Sequence, residues 1–348
     1  MPASLLARLL ARRPTGGAAA APEPPVDLQP AVEWQVCGIC NYDCSYCIQS
    51  RRHRQGQPSA ELVRGIVGGL SRLPGVWEIK LSGGEPFAFP GLLPWVLTGL
   101  IERTSHAVSV LTNLSAPAPQ IADFCRIAGA RLRVFSCSLH LERVTIADFV
   151  AKARRCREQL ARSAPDAVFV VNSVVVPGRV REQFAVRAAL HEAGLGYFPQ
   201  IMKTKGGIFP YSELEAPLVQ ELVGDWRQAA NRVPSFTGAF CEAGAWYFII
   251  DWQGEAYRCR SGKRLGPERE AAGLGNLAQG TFARWAHGAP CPYAYCPCTV
   301  PAHRGMVRGP DGRPLPGTVS HPGPEEFPEA PARTRAALAA APGDGGSG

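Results

Sequence analysis

The stretch Cys40-Asn41-Tyr42-Asp43-Cys44-Ser45-Tyr46-Cys47 places three cysteines close together, with an aromatic residue directly before the last. Three thiolates can hold three irons of a 4Fe-4S cube, whereas a structural zinc or a fully protein-bound cluster needs four ligands. The fourth iron is then open to a substrate or cofactor. The spacing therefore predicts a cluster held by Cys40, Cys44 and Cys47, with part of a zinc site or a cysteine-rich loop as the alternative.

A second motif, Ser82-Gly83-Gly84-Glu85-Pro86, directly follows the alternating apolar stretch of residues 76–81. Two glycines after a strand allow the backbone to approach a ligand closely, and Glu85 can accept a hydrogen bond from a charged amine. Alone, such a pair is typical of a tight turn. Its position about one β-α unit after the cysteines indicates that the two motifs share a site.

Together the two motifs resemble the signature of the radical S-adenosylmethionine (SAM) enzymes. In that family the open iron binds SAM, and an electron from the cluster cleaves SAM to a 5'-deoxyadenosyl radical that abstracts a substrate hydrogen. The resemblance implies that Tyr46, Gly83, Gly84, Glu85 and Pro86 contact SAM. It also implies an electron donor such as flavodoxin or ferredoxin.

Residues 31–210 alternate apolar runs with amphipathic stretches of helical period, which is typical of parallel β-α units. The predicted strands are residues 32–36, 76–81, 107–112, 131–139, 168–176 and 196–203. The predicted helices are residues 59–70, 92–103, 120–128, 146–162 and 180–193. Right-handed crossovers bring the carboxyl ends of all strands to one face. The prediction is an α/β fold, a partial (β/α)6 barrel, as the resemblance also implies.

Polar residues at later strand ends are candidates for the same face. The resemblance implies SAM contacts from Asn113, Ser138 and Asn172, and a solvated strand end is the alternative for each. Because side chains alternate along a strand, an inward Ser138 sends Cys137 outward. His140 at the barrel mouth is either an acid or base near the substrate or a hydrogen-bonded strand-end histidine.

A second group of cysteines follows the barrel: Cys241, Cys259, Cys291, Cys296 and Cys298. The apolar runs 246–250 and 255–259 around Gly254 predict a β-hairpin that brings Cys241 and Cys259 together. We expect Cys241, Cys259, Cys296 and Cys298 to hold a second 4Fe-4S cluster, although Cys291 could replace a member of the last pair. A zinc ion bound by four thiolates is the competing interpretation.

This region resembles the twitch domain, a shortened SPASM extension of radical SAM enzymes, in its Gly254-to-Cys259 spacing and the Leu274-Gly275-Asn276-Leu277 segment. The resemblance implies one auxiliary cluster in residues 211–304, and we expect it to close the barrel mouth. A spare thiol at Cys291 or Cys37 could return a hydrogen atom to a substrate radical. A structural thiol is the alternative for both.

The terminal segments, the net charge and the number of cysteines give the remaining expectations. Residues 1–30 predict a disordered leader, and the Pro- and Gly-rich residues 305–348 a disordered tail. The net charge of +8 comes from dispersed residues, which does not favour nucleic acid, and no apolar run reaches the length of a membrane span. Twelve cysteines in a chain without a signal-peptide pattern favour metal sites in the reducing cytoplasm.

The sequence therefore predicts a radical SAM enzyme with SAM and two 4Fe-4S clusters as cofactors. The expected reaction is oxidative modification of a ribosomally made peptide or protein, by crosslinking or epimerisation. Dehydrogenation or epimerisation of a small sugar-like natural-product intermediate is the alternative. An iron-sulfur or zinc protein that binds no SAM is the alternative from another class.

Overall fold

A computed structural model of the chain describes residues 28–49, 54–204, 208–223, 236–264, 273–293, 296 and 300–313. Six strands follow the order of the sequence: β1 (Ala31–Cys37), β2 (Glu78–Gly83), β3 (Ala107–Thr112), β4 (Leu132–Leu139), β5 (Val168–Val175) and β6 (Gly196–Ile201). Each pairs in parallel with the next. Among the described strands β6 is an edge of the sheet. The six form an open partial barrel, which confirms the predicted fold.

Five helices connect these strands: α1 (Ala60–Leu70), α2 (Thr98–Arg103), α3 (Ala118–Ala128), α4 (Ile146–Ser163) and α5 (Glu182–Glu192). Their starts follow from local chemistry. The Ser59 hydroxyl accepts a hydrogen bond from the Leu62 N–H, and the Thr145 side chain accepts one from the Asp148 N–H. Each helix buries one apolar stripe against the outer face of the sheet.

The helix predicted for residues 92–103 has two parts. It begins as a π-helical turn over Leu92–Leu97 and becomes α-helical only at Thr98. Pro94 lies within the first turn and has no N–H to donate, while the Thr98 hydroxyl donates to the Leu93 carbonyl at 3.0 Å. The sequence pattern captured the apolar stripe and not this local widening.

The alternation along β4 separates the outer core from the barrel interior. Phe135 and Cys137 are fully buried beneath the helices, whereas Ser136 and Ser138 line the interior cavity. Cys137 therefore points outward from the barrel, as the alternation requires.

The C-terminal part of the chain extends the same sheet. Strands β8 (Tyr247–Ile250), β9 (Glu255–Tyr257) and β10 (Gly273–Asn276) continue it in the order β10-β9-β8-β1. The predicted hairpin is the antiparallel pair of β8 and β9. A small separate sheet contains β7 (Phe240–Cys241), β11 (Ala289–Pro290) and β12 (Val307–Arg308). The short helices α6 (Ala216–Val223), α7 (Arg260–Arg264) and α8 (Val300–His303) complete the fold.

The expectation that the second cysteine group closes the barrel mouth is wrong for the described cysteines of that group. β8 runs parallel to β1, with Tyr247 opposite Ala31, so the segment before β8 lies at the amino end of β1. β9 returns to the same end, because Tyr257 lies opposite Ile249. Cys241 and Cys259 therefore belong to the end of the barrel opposite the Cys40, Cys44 and Cys47 loop.

The ordered chain also continues past residue 304. Met306 and Val307 are buried, with at most 1% of each residue exposed, and β12 pairs with β7. Residues 305–313 therefore belong to the folded body rather than to the predicted tail, since their apolar side chains complete its core. The remaining tail and nearly all of the predicted leader lie outside the described residues. In the described part of the chain, no helix has the length and apolar character needed to cross a membrane.

Candidate functional site

The loop that carries Cys40, Cys44 and Cys47 begins at the carboxyl end of β1 and packs directly on the Gly83-Gly84 turn. Gly84 N–H donates to the Cys37 carbonyl at 3.0 Å, and Glu85 N–H donates to the Ile39 carbonyl at 2.8 Å. A Cβ at Gly83 or Gly84 would overlap backbone atoms of residues 37–39, and Gly83 has a φ of 146°. Because Gly83 and Gly84 have no side chains, the backbone of the cysteine loop can approach them closely. The sequence had instead predicted that a ligand approaches these glycines.

The loop after β3 holds the cysteine loop from one side. Asn113 Nδ2 donates to Asn41 Oδ1 at 3.0 Å, and Asn41 Nδ2 donates to Ser115 Oγ at 2.9 Å. Asn113 is 6% exposed and its Oδ1 also accepts from the Ser115 N–H. These bonds fix the residue that directly follows Cys40.

The loop after β4 holds the cysteine loop from the other side. The Glu142 carboxylate accepts hydrogen bonds from the N–H of Ser45, at 2.8 Å, and from its hydroxyl. Arg143 donates to the Asp43 carbonyl. The hydroxyl of Tyr46 lies 2.9 Å from Nδ1 of His140. Residues 43–46, between the first and last cysteine, are therefore fixed on the β4 loop.

Glu85 connects the ends of β2 and β3. Its Oε1 accepts hydrogen bonds from the Phe87 N–H at 3.1 Å and the Thr112 hydroxyl at 2.7 Å, and its Oε2 accepts from the Asn113 N–H at 2.6 Å. Burial raises the pKa of this carboxyl to about 7, although these hydrogen bonds act in the opposite direction. The carboxylate therefore binds groups of the chain itself, while Glu85 still borders the cavity.

Ser136, Ser138 and Asn172 form a polar chain on the wall of the cavity. Ser138 Oγ donates to Asn172 Oδ1 at 2.9 Å, and Asn172 Nδ2 donates to Ser136 Oγ at 3.1 Å. All three line the cavity, and Ser138 lies opposite Asn172 in the pairing of β4 and β5. Their hydroxyl and amide groups are donors and acceptors suited to a ribose or a carboxylate.

The cavity inside the barrel has a volume of about 460 Å³. Cys40, Cys44 and Cys47 border it, and so do Gly83 and Gly84. Cys44 is buried, Cys40 is half-buried and Cys47 is exposed. Within the described ranges, no group of three cysteine, histidine or carboxylate side chains stands in a metal-binding arrangement.

The two further catalytic candidates of the barrel have different surroundings. His140 borders the cavity and stacks on Tyr46 with ring centroids 5.9 Å apart. Burial lowers the pKa of His140 to about 4, so the ring is neutral at pH 7. Cys37 is fully buried, and its Sγ donates to the carbonyls of Ile39 and Glu85. Burial raises the pKa of Cys37 to about 12, which fits a structural thiol.

In the second cysteine group, Arg258 connects the segments that carry the thiols. It is 2% exposed and donates to the carbonyls of Ala243 at 3.1 Å and Ala289 at 2.9 Å. Ala289 lies opposite Cys241, and Cys259 directly follows Arg258.

The other cysteines of this group are placed less fully. Cys291 is 9% exposed, and its N–H donates to the Ala239 carbonyl beside β7. It is not among the residues that line the barrel cavity. Cys296 packs partly buried against the main core, and Cys298 lies outside the described residues.

Comparison with known proteins agrees with this geometry. The model of the radical SAM superfamily matches residues 34–185, from β1 into α5. Residues 34–185 therefore form a radical SAM domain. A search of curated proteins found no match to the sequence.

Two of the solved structures that match this chain illustrate its fold. Hexahistidine-tagged anSMEcpe with bound AdoMet is 16% identical, with a TM-score of 0.50, over 72% of this chain and 78% of that chain. Streptococcus suis SuiB bound to S-adenosylmethionine is 15% identical, with a TM-score of 0.50, over 69% of this chain and 62% of that chain.

The residues that fix the cysteine loop and those that place charges in the barrel interior were not predicted from the sequence. Glu142 and Arg143 have no motif, and only their position just after a strand end could have indicated them. Glu33 and Lys80 lie within apolar strands at inward positions. A charge inside an otherwise apolar strand is the signal that could have revealed them.

Proposed function

We propose that this radical SAM protein binds a 4Fe-4S cluster through Cys40, Cys44 and Cys47 and cleaves SAM reductively. The observation that carries the proposal is that these thiols and the Gly83-Gly84 turn border the same end of one cavity. When bound, the cluster and SAM supply a 5'-deoxyadenosyl radical that abstracts a substrate hydrogen. The electron would come from a donor such as flavodoxin or ferredoxin.

The donor set fits these groups. Three thiols on one short loop match three irons and leave one open, and hydrogen bonds from Asn41, Ser45 and Arg143 hold that loop in place. In this proposal the backbone of Gly83 and Gly84 faces the SAM amino group. The rest of SAM contacts four side chains: Tyr46, Asn113, Ser138 and Asn172. His140 holds Tyr46, and Asn41 holds Asn113.

We further propose an auxiliary 4Fe-4S cluster at Cys241, Cys259, Cys296 and Cys298, with Cys291 as the alternative ligand. Arg258 supports the proposal because it draws the segments of Cys241 and Cys259 together. Such a cluster would accept the electron left after hydrogen abstraction. Metal analysis of the anaerobically reconstituted protein separates iron from zinc, and Cys241→Ala/Cys259→Ala should lower iron from about eight to about four per chain.

The proposed substrate is a peptide or protein side chain, which would undergo oxidative modification. The barrel interior supports this choice over a sugar-like alcohol, since one wall is apolar: Val134, Val168, Val170 and Phe198 line the cavity. A polyhydroxylated ring would leave its hydroxyl groups without partners on that wall.

The test of SAM cleavage is release of 5'-deoxyadenosine by reconstituted protein supplied with SAM and a strong reductant. The matched control is the Cys40→Ala/Cys44→Ala/Cys47→Ala variant. Release by the parent protein alone supports the proposal. Equal background from both proteins, with an intact cluster in the parent and candidate peptides present, would contradict it.

A further inference from the structure

The interior of the barrel contains two carboxylates that are neutralised by arginines from the C-terminal region. Glu33 on β1 accepts hydrogen bonds from Arg260 of α7, with Nε at 3.1 Å, from Ser82 Oγ at 3.1 Å and from the Tyr247 hydroxyl at 3.2 Å. Burial alone would raise the pKa of Glu33, but the charges of Arg260 and Lys80 lower it to about 2. Glu33 is therefore ionised and its oxygens already have donors.

Glu78, at the start of β2, is satisfied in the same way. Its Oε2 accepts from Arg304 Nη2 at 2.6 Å, and its Oε1 accepts from Ser109 Oγ at 2.6 Å. Glu78 and Arg304 have side chains that are only 7% and 8% exposed. The pair lies at the amino end of the barrel, where Arg304 also donates to the Gln29 carbonyl.

Lys80 lies between these two pairs. It is opposite Glu33 in the pairing of β1 and β2, half-buried, and lines the cavity. Among the residues that the structure describes, none forms a hydrogen bond or an ion pair within 4.0 Å with the Lys80 ammonium. Among the described residues around Lys80, Arg260 and Arg304 match the charges of Glu33 and Glu78, so Lys80 is one positive charge in excess.

The opposite wall of the cavity is apolar. Val170 is 8% exposed and packs with Val134, Val168 and Phe198 in a cluster separate from the main core. Near the amino ends of the strands, the cavity thus has a cationic wall at Lys80 on β2 and an apolar wall of Val134, Val168, Val170 and Phe198 on β4 to β6. A ligand that matches both carries an anionic group next to an apolar portion.

We propose that Lys80 binds a carboxylate of the substrate. The apolar portion of the substrate then lies against the cavity wall that contains Val170. The assignment rests on the proposed function, because it gives the part of the cavity near the amino ends of the strands to the substrate. Lys80 precedes Gly84 by four strand positions, or about 13 Å at 3.3 Å per residue. The SAM carboxylate, held near the cysteine loop, is therefore not the expected partner.

The test is equilibrium binding of three peptides to reconstituted protein in the presence of SAM, by anaerobic calorimetry. Acetyl-Val-Glu-Val-amide carries a side-chain carboxylate, acetyl-Val-Gln-Val carries a terminal carboxylate, and acetyl-Val-Gln-Val-amide is neutral. The variants are Lys80→Met, Lys80→Arg and Arg133→Met. Arg133 is a matched control, because it is an exposed cation on the outer face of β4.

The parent protein should bind at least one carboxylate peptide about tenfold more tightly than the neutral peptide, as expected for a charge-assisted hydrogen bond. The ratio should fall to about one in Lys80→Met and persist in Lys80→Arg and Arg133→Met. The two carboxylate peptides distinguish a side-chain from a terminal carboxylate. Equal binding of all three peptides, no binding of any, or discrimination that survives Lys80→Met would overturn the inference.

SAM binding is measured on the same samples without peptide. If Lys80→Met loses the discrimination and still binds SAM, the effect belongs to the substrate region. If the parent fails to bind SAM, the proposed function fails, whatever the peptide ratios. The two failures are therefore distinguishable.

Discussion

The hydroxyl of Tyr46 lies 2.9 Å from Nδ1 of His140, and the two rings stack with an interplanar angle of 23°. Tyr46 directly precedes the last cysteine of the loop, and His140 directly follows β4. A residue considered as an acid or base thus contacts the aromatic residue expected beside SAM. Its neutral ring suits it to orient Tyr46.

His140→Phe should keep the stacked ring and remove the hydrogen bond to Tyr46. We expect the affinity for SAM to fall about fivefold, the equivalent of one hydrogen bond. Tyr46→Phe should give a similar loss, and the double variant should lose little more. Calorimetric SAM titrations of the four proteins measure this, and additive losses would contradict a shared role.

His140 also predicts a dependence of stability on pH. Its pKa falls from 6.5 to about 4 on folding, so the unfolded chain binds more protons between these values. The free energy of unfolding should decrease as pH falls from about 6.5 towards 4. At pH 5 the buried His140 should lower it by at most about 2 kcal/mol. Urea unfolding of the parent protein and His140→Phe at pH 7 and pH 5 should show the smaller decrease in the variant. Equal decreases would count against a buried neutral imidazole.

Glu85→Gln should destabilise the protein, because an amide nitrogen would replace an oxygen that accepts from Thr112, Phe87 or Asn113. The expected loss is about 1–3 kcal/mol of unfolding free energy. Glu158→Gln, at an exposed position on α4, is the matched control. Denaturant unfolding measures both, and a stable Glu85→Gln protein would mean that its hydrogen bonds contribute little.

Gly84→Ala should displace the cysteine loop, since its Cβ would overlap the backbone of Gly38 and Ile39. We expect a loss of about 1–3 kcal/mol, as for overpacking, together with reduced iron retention after reconstitution. Gly99→Ala is the control, since its Cβ would make ordinary contacts with Val67. Full iron content in Gly84→Ala would contradict the close approach of the two loops.

Arg304→Met should leave the Glu78 carboxylate buried without its ion-pair partner. Breaking such a pair costs about 3–5 kcal/mol, whereas replacing both partners costs much less. Unfolding of Arg304→Met, Glu78→Gln and the double variant therefore tests the pair. A double variant as unstable as the sum of the two single variants would show that the residues are not coupled.

The local sequence predicted most of the barrel. The range of β3 was predicted in full, and β5 and β6 begin where the pattern placed them, because alternation and helical periodicity are local properties. Predicted β2 began too early: Val76 is 57% exposed, and pairing starts where Glu78 N–H donates to the Pro30 carbonyl. Its start depends on β1, a distant segment.

The interior charges could not be predicted from local patterns. Arg260 pairs with a residue 227 positions away, and Arg304 with one 226 positions away. Nothing near either arginine distinguishes it from a surface residue. The position of the second cysteine group likewise follows from the parallel pairing of β8 with β1, which a hairpin pattern does not specify.

The most direct test of the central claim is the electron paramagnetic resonance spectrum of reduced, reconstituted protein with and without SAM. Cys241→Ala/Cys259→Ala serves as the background, because it removes two proposed ligands of the auxiliary cluster and leaves the signal of the cluster proposed at Cys40, Cys44 and Cys47. We predict a reduced-cluster signal whose g values shift when SAM is added, because SAM binds the open iron. A signal that SAM leaves unchanged would contradict an open iron at this loop.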